Sequence, residues 1–196
     1  MYKIYFFMIC ACVFSSCQQT RYWDSSAYME GDRSHPIISI YNQYEERISP
    51  KSVIFVSGGV TEFENTRKID TIHQTLMSRK QLNLEESRKL FVYLVETLVD
   101  EVRMNEDVKS FLPNSSFSAS RVQLTLLLTD KKGSYLPDHL YISRISLDDG
   151  LIRFFAHGKE PKVQIYRKKF QIKDEPDYIV EVHQESLKEA RKKIAS

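Results

Sequence analysis

Residues 140–157, LYISRISLDDGLIRFFAH, decide the fold. Asp149-Gly150 is a two-residue turn signal between two alternating apolar runs, the pattern of an antiparallel hairpin. A two-residue loop pairs Asp148 with Leu151 and Arg144 with Phe155. One face then holds Tyr141, Ile145, Leu147, Ile152, Phe154 and Ala156. The other holds Ile142, Arg144, Ser146, Arg153, Phe155 and His157. A three-residue loop would slip the pairing by one and set Arg153 and His157 beside Ile145 and Leu147. A slip of one sends every side chain to the wrong face, so the two-residue register is the one expected.

Outward from the hairpin, Val122, Leu124, Leu126 and Leu128 alternate with Gln123, Thr125 and Thr129. This predicts a strand that completes a three-stranded antiparallel meander, with Gln123, Thr125 and Thr129 extending the basic face. Further strands are expected at Val163–Ile172 and Tyr178–Val182, and a closing helix at Gln184–Ala195 with Leu187, Ala190 and Ile194 inward. Toward the N-terminus, Asn83 and Glu86 stand at capping-box spacing. Behind them Leu84, Phe91, Leu94, Val95, Leu98, Val99 and Val102 fall on one side of a helix, with Arg88 intruding as a first-turn arginine that snorkels to the edge. Asn105 caps a short helix that Pro113 stops. Thr61 is read as the N-cap of another helix carrying Phe63, Ile69, Ile72, Leu76 and Met77. Val53–Val56 is a short strand ending in a turn at Gly58-Gly59. Ile37–Tyr41 is expected to be a short docked strand, and roughly the first fifteen residues after Cys17 a linker. The fold class is therefore α+β: an antiparallel sheet packed on one face by amphipathic helices, with the helix from Leu84 to Val102 against Leu124, Leu126 and Leu128.

The chain's three cysteines, Cys10, Cys12 and Cys17, all fall in the first seventeen residues. Met1-Tyr-Lys3, the apolar run Ile4–Phe14 and Ser15-Ser16-Cys17 have the n-region, h-region and small-residue site of an export signal, and the run is too short to span a bilayer. Ser15-Ser16-Cys17 resembles the lipobox of bacterial lipoproteins, with Phe14 where that class most often carries Leu. The resemblance covers the signal alone. It implies cleavage before Cys17 and acylation of that residue. The alternatives are ordinary cleavage near Ser16, leaving a thiol, or an uncleaved amphipathic end. The domain expectation is a signal at 1–16, a lipid-anchored tether at 17–35 and one globular domain at 36–196. Gln18, rather than Asp, follows the cysteine. In Gram-negative lipoproteins this favours an outer-membrane position facing the periplasm over the inner membrane. Tyr22 and Trp23 either enter the headgroup region or dock on the domain.

Losing Lys3 from 28 basic residues against 26 acidic ones leaves the exported part near neutral, which argues against nucleic acid as a partner. His35, His73, His139, His157 and His183 are scattered without a His-x-x-x-His or HExxH pair, so no metal site is expected. No nucleophile elbow is present and Asp148-Asp149-Gly150 lacks the remaining ligands of a calcium loop, so no catalytic residue and no cofactor is assigned. Arg144, Arg153, Phe155 and His157 are the one constellation with a binding chemistry: arginine forks beside an aromatic platform suit a carboxylate or phosphate. The bland alternative is a solvated face whose arginines pair with local acids. Arg167-Lys168-Lys169 and Arg191-Lys192-Lys193 are short basic runs, the second complementing a helix C-terminus. The functional expectation is a membrane-anchored, non-catalytic binding or assembly module. Its partner would be an anionic envelope component, such as a peptidoglycan peptide or a lipid headgroup, or an acidic envelope protein. The alternative is an envelope hydrolase using paired carboxylates, whose partners need only be close in space.

Overall fold

A computed structural model describes residues 20–24, 37–63, 66, 68–113, 117–131, 141–157 and 179–195, with Thr20–Asp24 and His157 described by backbone alone. The order of elements is β1 (Thr20–Asp24), α1 (Ile37–Ile48), β2 (Val53–Glu62), β3 (Ile69–Ser78), α2 (Leu84–Met104), α3 (Glu106–Lys109), β4 (Val122–Leu128), β5 (Ile142–Asp148), β6 (Leu151–His157), β7 (Ile179–Ser186) and α4 (Leu187–Ala195). The strands form a seven-stranded sheet in sequence order. Neighbours are antiparallel except β3 and β4, which run parallel. A parallel pair needs a long crossover, and α2 lies within it. The fold is α+β, with helices packed on one sheet face.

Chemistry explains α2 directly. The Asn83 side chain accepts from the Glu86 N–H, and the Glu86 carboxylate accepts from the Asn83 N–H, closing the capping box. Phe91, Leu94, Val95, Leu98 and Val102 are fully buried, in one core with Leu124, Leu126 and Leu128. Asn105 ends α2 and caps α3 by accepting from the Asp107 and Val108 N–H groups. β4 buries Val122, Leu124, Leu126 and Leu128 in strict alternation.

Five expectations are corrected. Ile37–Tyr41 is the start of α1, because Ile37, Ile40, Tyr41, Tyr44 and Ile48 recur at helical spacing and all are buried. Ile69–Ser78 is a strand where a helix capped by Thr61 was expected, and Thr61 itself lies in β2. Gly58 and Gly59 continue β2 and make no turn. A Cβ on Gly58 would stand 2.9 Å from Phe55 Cζ and 3.0 Å from Tyr41 Cζ. The Tyr41 hydroxyl donates to the Gly59 carbonyl at 2.9 Å. Glycine here admits a close-packed ring. Thr20–Asp24, inside the expected linker, pairs with β2 as β1. Finally, residues 184–186 belong to β7, so the last helix begins at Leu187. Leu187 and Ala190 face inward as expected, while Ile194 is partly exposed.

Arg88 is also corrected. It does not snorkel: it is buried and its Nε donates to Glu185 Oε1 at 2.6 Å. Lys193 Nζ reaches Glu185 Oε2 at 2.6 Å, and His183 Nε2 lies 3.3 Å from the same oxygen. Burial pushes the Glu185 carboxyl up, but hydrogen bonds from Arg88, Lys193 and His183 outweigh it and hold its pKa below the usual glutamate value. This cluster joins α2, β7 and α4, and Arg191 adds an ion pair to Glu96 at 2.8 Å. Arg47 of α1 pairs with the buried Glu101 of α2 at 2.5 Å.

The signal segment with Cys17, His35, His139, Arg167-Lys168-Lys169 and the expected strand Val163–Ile172 lie outside the described residues. Among the described residues no helix is long and apolar enough to cross a membrane.

Candidate functional site

The β5–β6 hairpin turns at Asp149 (φ +48°) and Gly150 (φ +74°). Positive φ at both central residues is the type I′ pattern that suits a two-residue hairpin. The pairs Asp148–Leu151, Leu147–Ile152, Ser146–Arg153, Ile145–Phe154 and Arg144–Phe155 follow the expected register. Above Arg144 it shifts: Ile142 pairs with Ala156, leaving Ser143 as an extra residue in β5. Ile142 therefore enters the core and does not share the basic face expected for it. Ser143 is buried, its hydroxyl donating to the Phe155 carbonyl at 3.1 Å.

On the face away from the helices, the register stacks side chains in cross-strand rows. Thr125 pairs with Ser146 and Ser146 with Arg153; Leu127 pairs with Arg144 and Arg144 with Phe155. Beyond Ser146, Asp148 accepts from Gln123 Nε2 at 2.9 Å. These rows line an open cleft of about 330 Å³ bounded by Gln123, Thr125, Arg144, Ser146, Asp148, Arg153 and Phe155, with Leu147 in its floor. Thr129 is not part of it, being buried at the end of β4.

The two arginines differ. Arg144 lays its guanidinium over the Phe155 ring, with Cζ 4.1 Å from the centroid. Its Nε is buried and meets no hydrogen-bond acceptor. Among the described residues Arg144 has no carboxylate partner. Arg153 is exposed and stands 3.9 Å from Glu181 of β7, the loose pairing of a solvated face. Stacking on the ring fixes the plane of the Arg144 guanidinium while leaving its edge free to fork onto a planar or tetrahedral anion.

Of the four residues expected to act together, the fold brings Arg144, Phe155 and Arg153 to one cleft. His157 ends β6 opposite Ile179, and its side chain lies outside the described residues. The sequence reading missed Asp148 as the acidic end of the cleft, although its place two residues beyond Ser146 was readable from the alternation. It also missed His73, which neighbours Gln123 across the β3–β4 pairing and lies 2.5 Å by Nε2 from the Thr61 hydroxyl. Burial is the largest influence on His73. It lowers the pKa against the opposing pull of Gln123, Asp148 and Asp70. Among the described residues no group of three or more His, Cys, Asp or Glu is placed to hold a metal ion. No protein-family model, curated protein or solved structure matches the chain.

Proposed function

We propose that the chain is a lipid-anchored envelope protein, acylated at Cys17, whose domain binds an anionic group in the cleft on the outer face of β4, β5 and β6. The observation that carries the binding reading is Arg144. Its guanidinium is oriented by Phe155, its Nε is buried without an acceptor, and no carboxylate among the described residues neutralises it. A buried donor without a partner costs free energy, about 1–3 kcal/mol. An anion entering the cleft gains a charge-assisted bond at the free edge of this guanidinium. Thr125, Ser146 and Gln123 offer hydroxyl and amide groups beside it. The lining holds a single carboxylate, Asp148, so the cleft gives the two-carboxylate hydrolase no observation in its favour.

The test is a titration of the ¹⁵N-labelled protein with acetate and with inorganic phosphate, following the arginine Nε–H resonances. The Arg144 resonance should move saturably and Arg144→Ala should abolish the response, with salt weakening it. An Arg144 resonance that does not respond to either anion would sink the proposal.

A further inference from the structure

Resting on that binding reading, we infer that the ligand is a short extended peptide with both termini free, its carboxylate held at Arg144 and its amino group at Asp148. The cleft is bipolar along a single strand. Arg144, Ser146 and Asp148 alternate on one face of β5, and their pairing with β6 is regular from Arg144 to Asp148. Two residues along a strand advance about 6.7 Å, so the backbone positions of Arg144 and Asp148 are set about 13 Å apart. Their side chains do not converge. Arg144 leans toward β6 onto Phe155, whereas Asp148 is held toward β4 by Gln123.

The positive end has two arginines, but Glu181 draws on Arg153 at 3.9 Å and leaves Arg144 as the anion seat. The negative end has one exposed carboxylate with one hydrogen bond from a neutral amide, which leaves acceptor capacity for an ammonium group. Between the ends, Thr125 and Ser146 present hydroxyls that can both donate and accept, which suits the amides of a peptide backbone. The spacing selects the ligand's size. A free amino acid or a zwitterionic lipid headgroup carries its charges only a few bonds apart and satisfies one end at a time. An extended chain rises about 3.3–3.6 Å per residue, so about four residues bridge the two ends.

The experiment uses the full-length chain in detergent with tetra-alanine as probe, beside its N-acetylated form, its C-terminal amide and di-alanine. Free tetra-alanine should bind, and capping either terminus should weaken binding about tenfold, as loss of a charge-assisted hydrogen bond does. Di-alanine should bind about as weakly as the capped tetramers. Asp148→Asn should weaken the free tetramer and leave the N-acetylated one unchanged. The peptide caps test the same contact without altering the fold, so the outcome does not depend on that variant folding. Equal binding of free and N-acetylated tetramer, with the amide weak, would overturn the two-ended ligand and leave the anion site standing. Equal binding of di- and tetra-alanine would overturn the spacing. Arg144→Ala without effect on any peptide would remove the anion site as well.

Discussion

Arg88 and Arg144 each place a guanidinium against a packed surface, and what each faces separates structure from binding. Arg88 donates to Glu185, whose side chain is 2 % exposed, and Lys193 takes the other carboxylate oxygen. Removing one partner of a buried pair strands the other, typically at a cost of about 3–5 kcal/mol, whereas replacing both with apolar residues is often neutral. Glu185→Ala should therefore lower urea-unfolding stability by an amount in that range, and Arg88→Met with Glu185→Leu should recover most of it. A loss under about 1 kcal/mol for the single variant would show that the pair is solvated in solution. Arg144 makes the opposite prediction. Its guanidinium rests on the Phe155 ring, and a cation–π contact of this kind is worth about 0.5–1 kcal/mol. Arg144→Ala should unfold at nearly the wild-type urea midpoint while losing the anion response. The Arg144–Phe155 contact was legible in the sequence because it follows from one turn and strict alternation. Arg88's partner was not, since Glu185 lies 97 residues away and no local pattern joins them.

Among the elements, legibility tracked whether the core-facing positions were apolar throughout. β4 buries four apolar residues in alternation, and α2 carries an unbroken stripe behind a capping box. β3 disguised itself, because its core-facing positions include Gln74 and Ser78. What remained visible, Ile69, Ile72 and Leu76, is spaced three and four apart and mimics a helix. An irregularity in the β2–β3 pairing between Thr61 and Glu62 adds to the confusion. α1 misled in the other sense: Ile37-Ile38-Ser39-Ile40-Tyr41 is β-branched and short, and only its continuation to Tyr44 and Ile48 reveals the helical period. In β2, Gly58 lets the Tyr41 ring of α1 approach, a use that the Gly58-Gly59 pair does not reveal because it reads locally as a turn. That makes Gly58→Ala an element-scale test. Its Cβ would press on Phe55 and Tyr41, and overpacking of this kind costs about 1–3 kcal/mol. Differential scanning calorimetry should show a lowered Tm. An unchanged Tm would mean α1 is not seated on β2 as described. Asn83→Ala, which removes the α2 cap, should cost about 1 kcal/mol in the same measurement.

At the scale of the molecule, the shifts of His73 and Glu185, both groups at least partly buried, push its response to acid in the same direction. His73 titrates below the ordinary histidine value because of burial, so the unfolded chain takes up that proton first, and stability falls as pH drops below about 6.5 toward the folded pKa. Glu185 also titrates low in the fold, and its contribution is present above the unfolded glutamate value, about 4.3, and lost as pH falls through the lower folded one. Urea midpoints should thus decline in two stages on acidification, with His73→Gln flattening the first and Glu185→Gln the second. The sheet's order also bears on the anchor. β1 is an edge strand beginning at Thr20, three residues after Cys17, and three extended residues reach at most about 10 Å. Acylation at Cys17 would hold the β1 edge within that distance of the lipid. Strands β4 to β6, with the cleft, would then lie three to five strand spacings away, about 14–24 Å across the sheet. Metabolic labelling with an alkyne fatty acid should mark the wild-type chain in the membrane fraction, and Cys17→Ser should lose the label and leave an uncleaved or soluble product. A Cys17→Ser chain that still labels and fractionates like the wild type would remove the anchor while leaving the chemistry of Arg144 untouched.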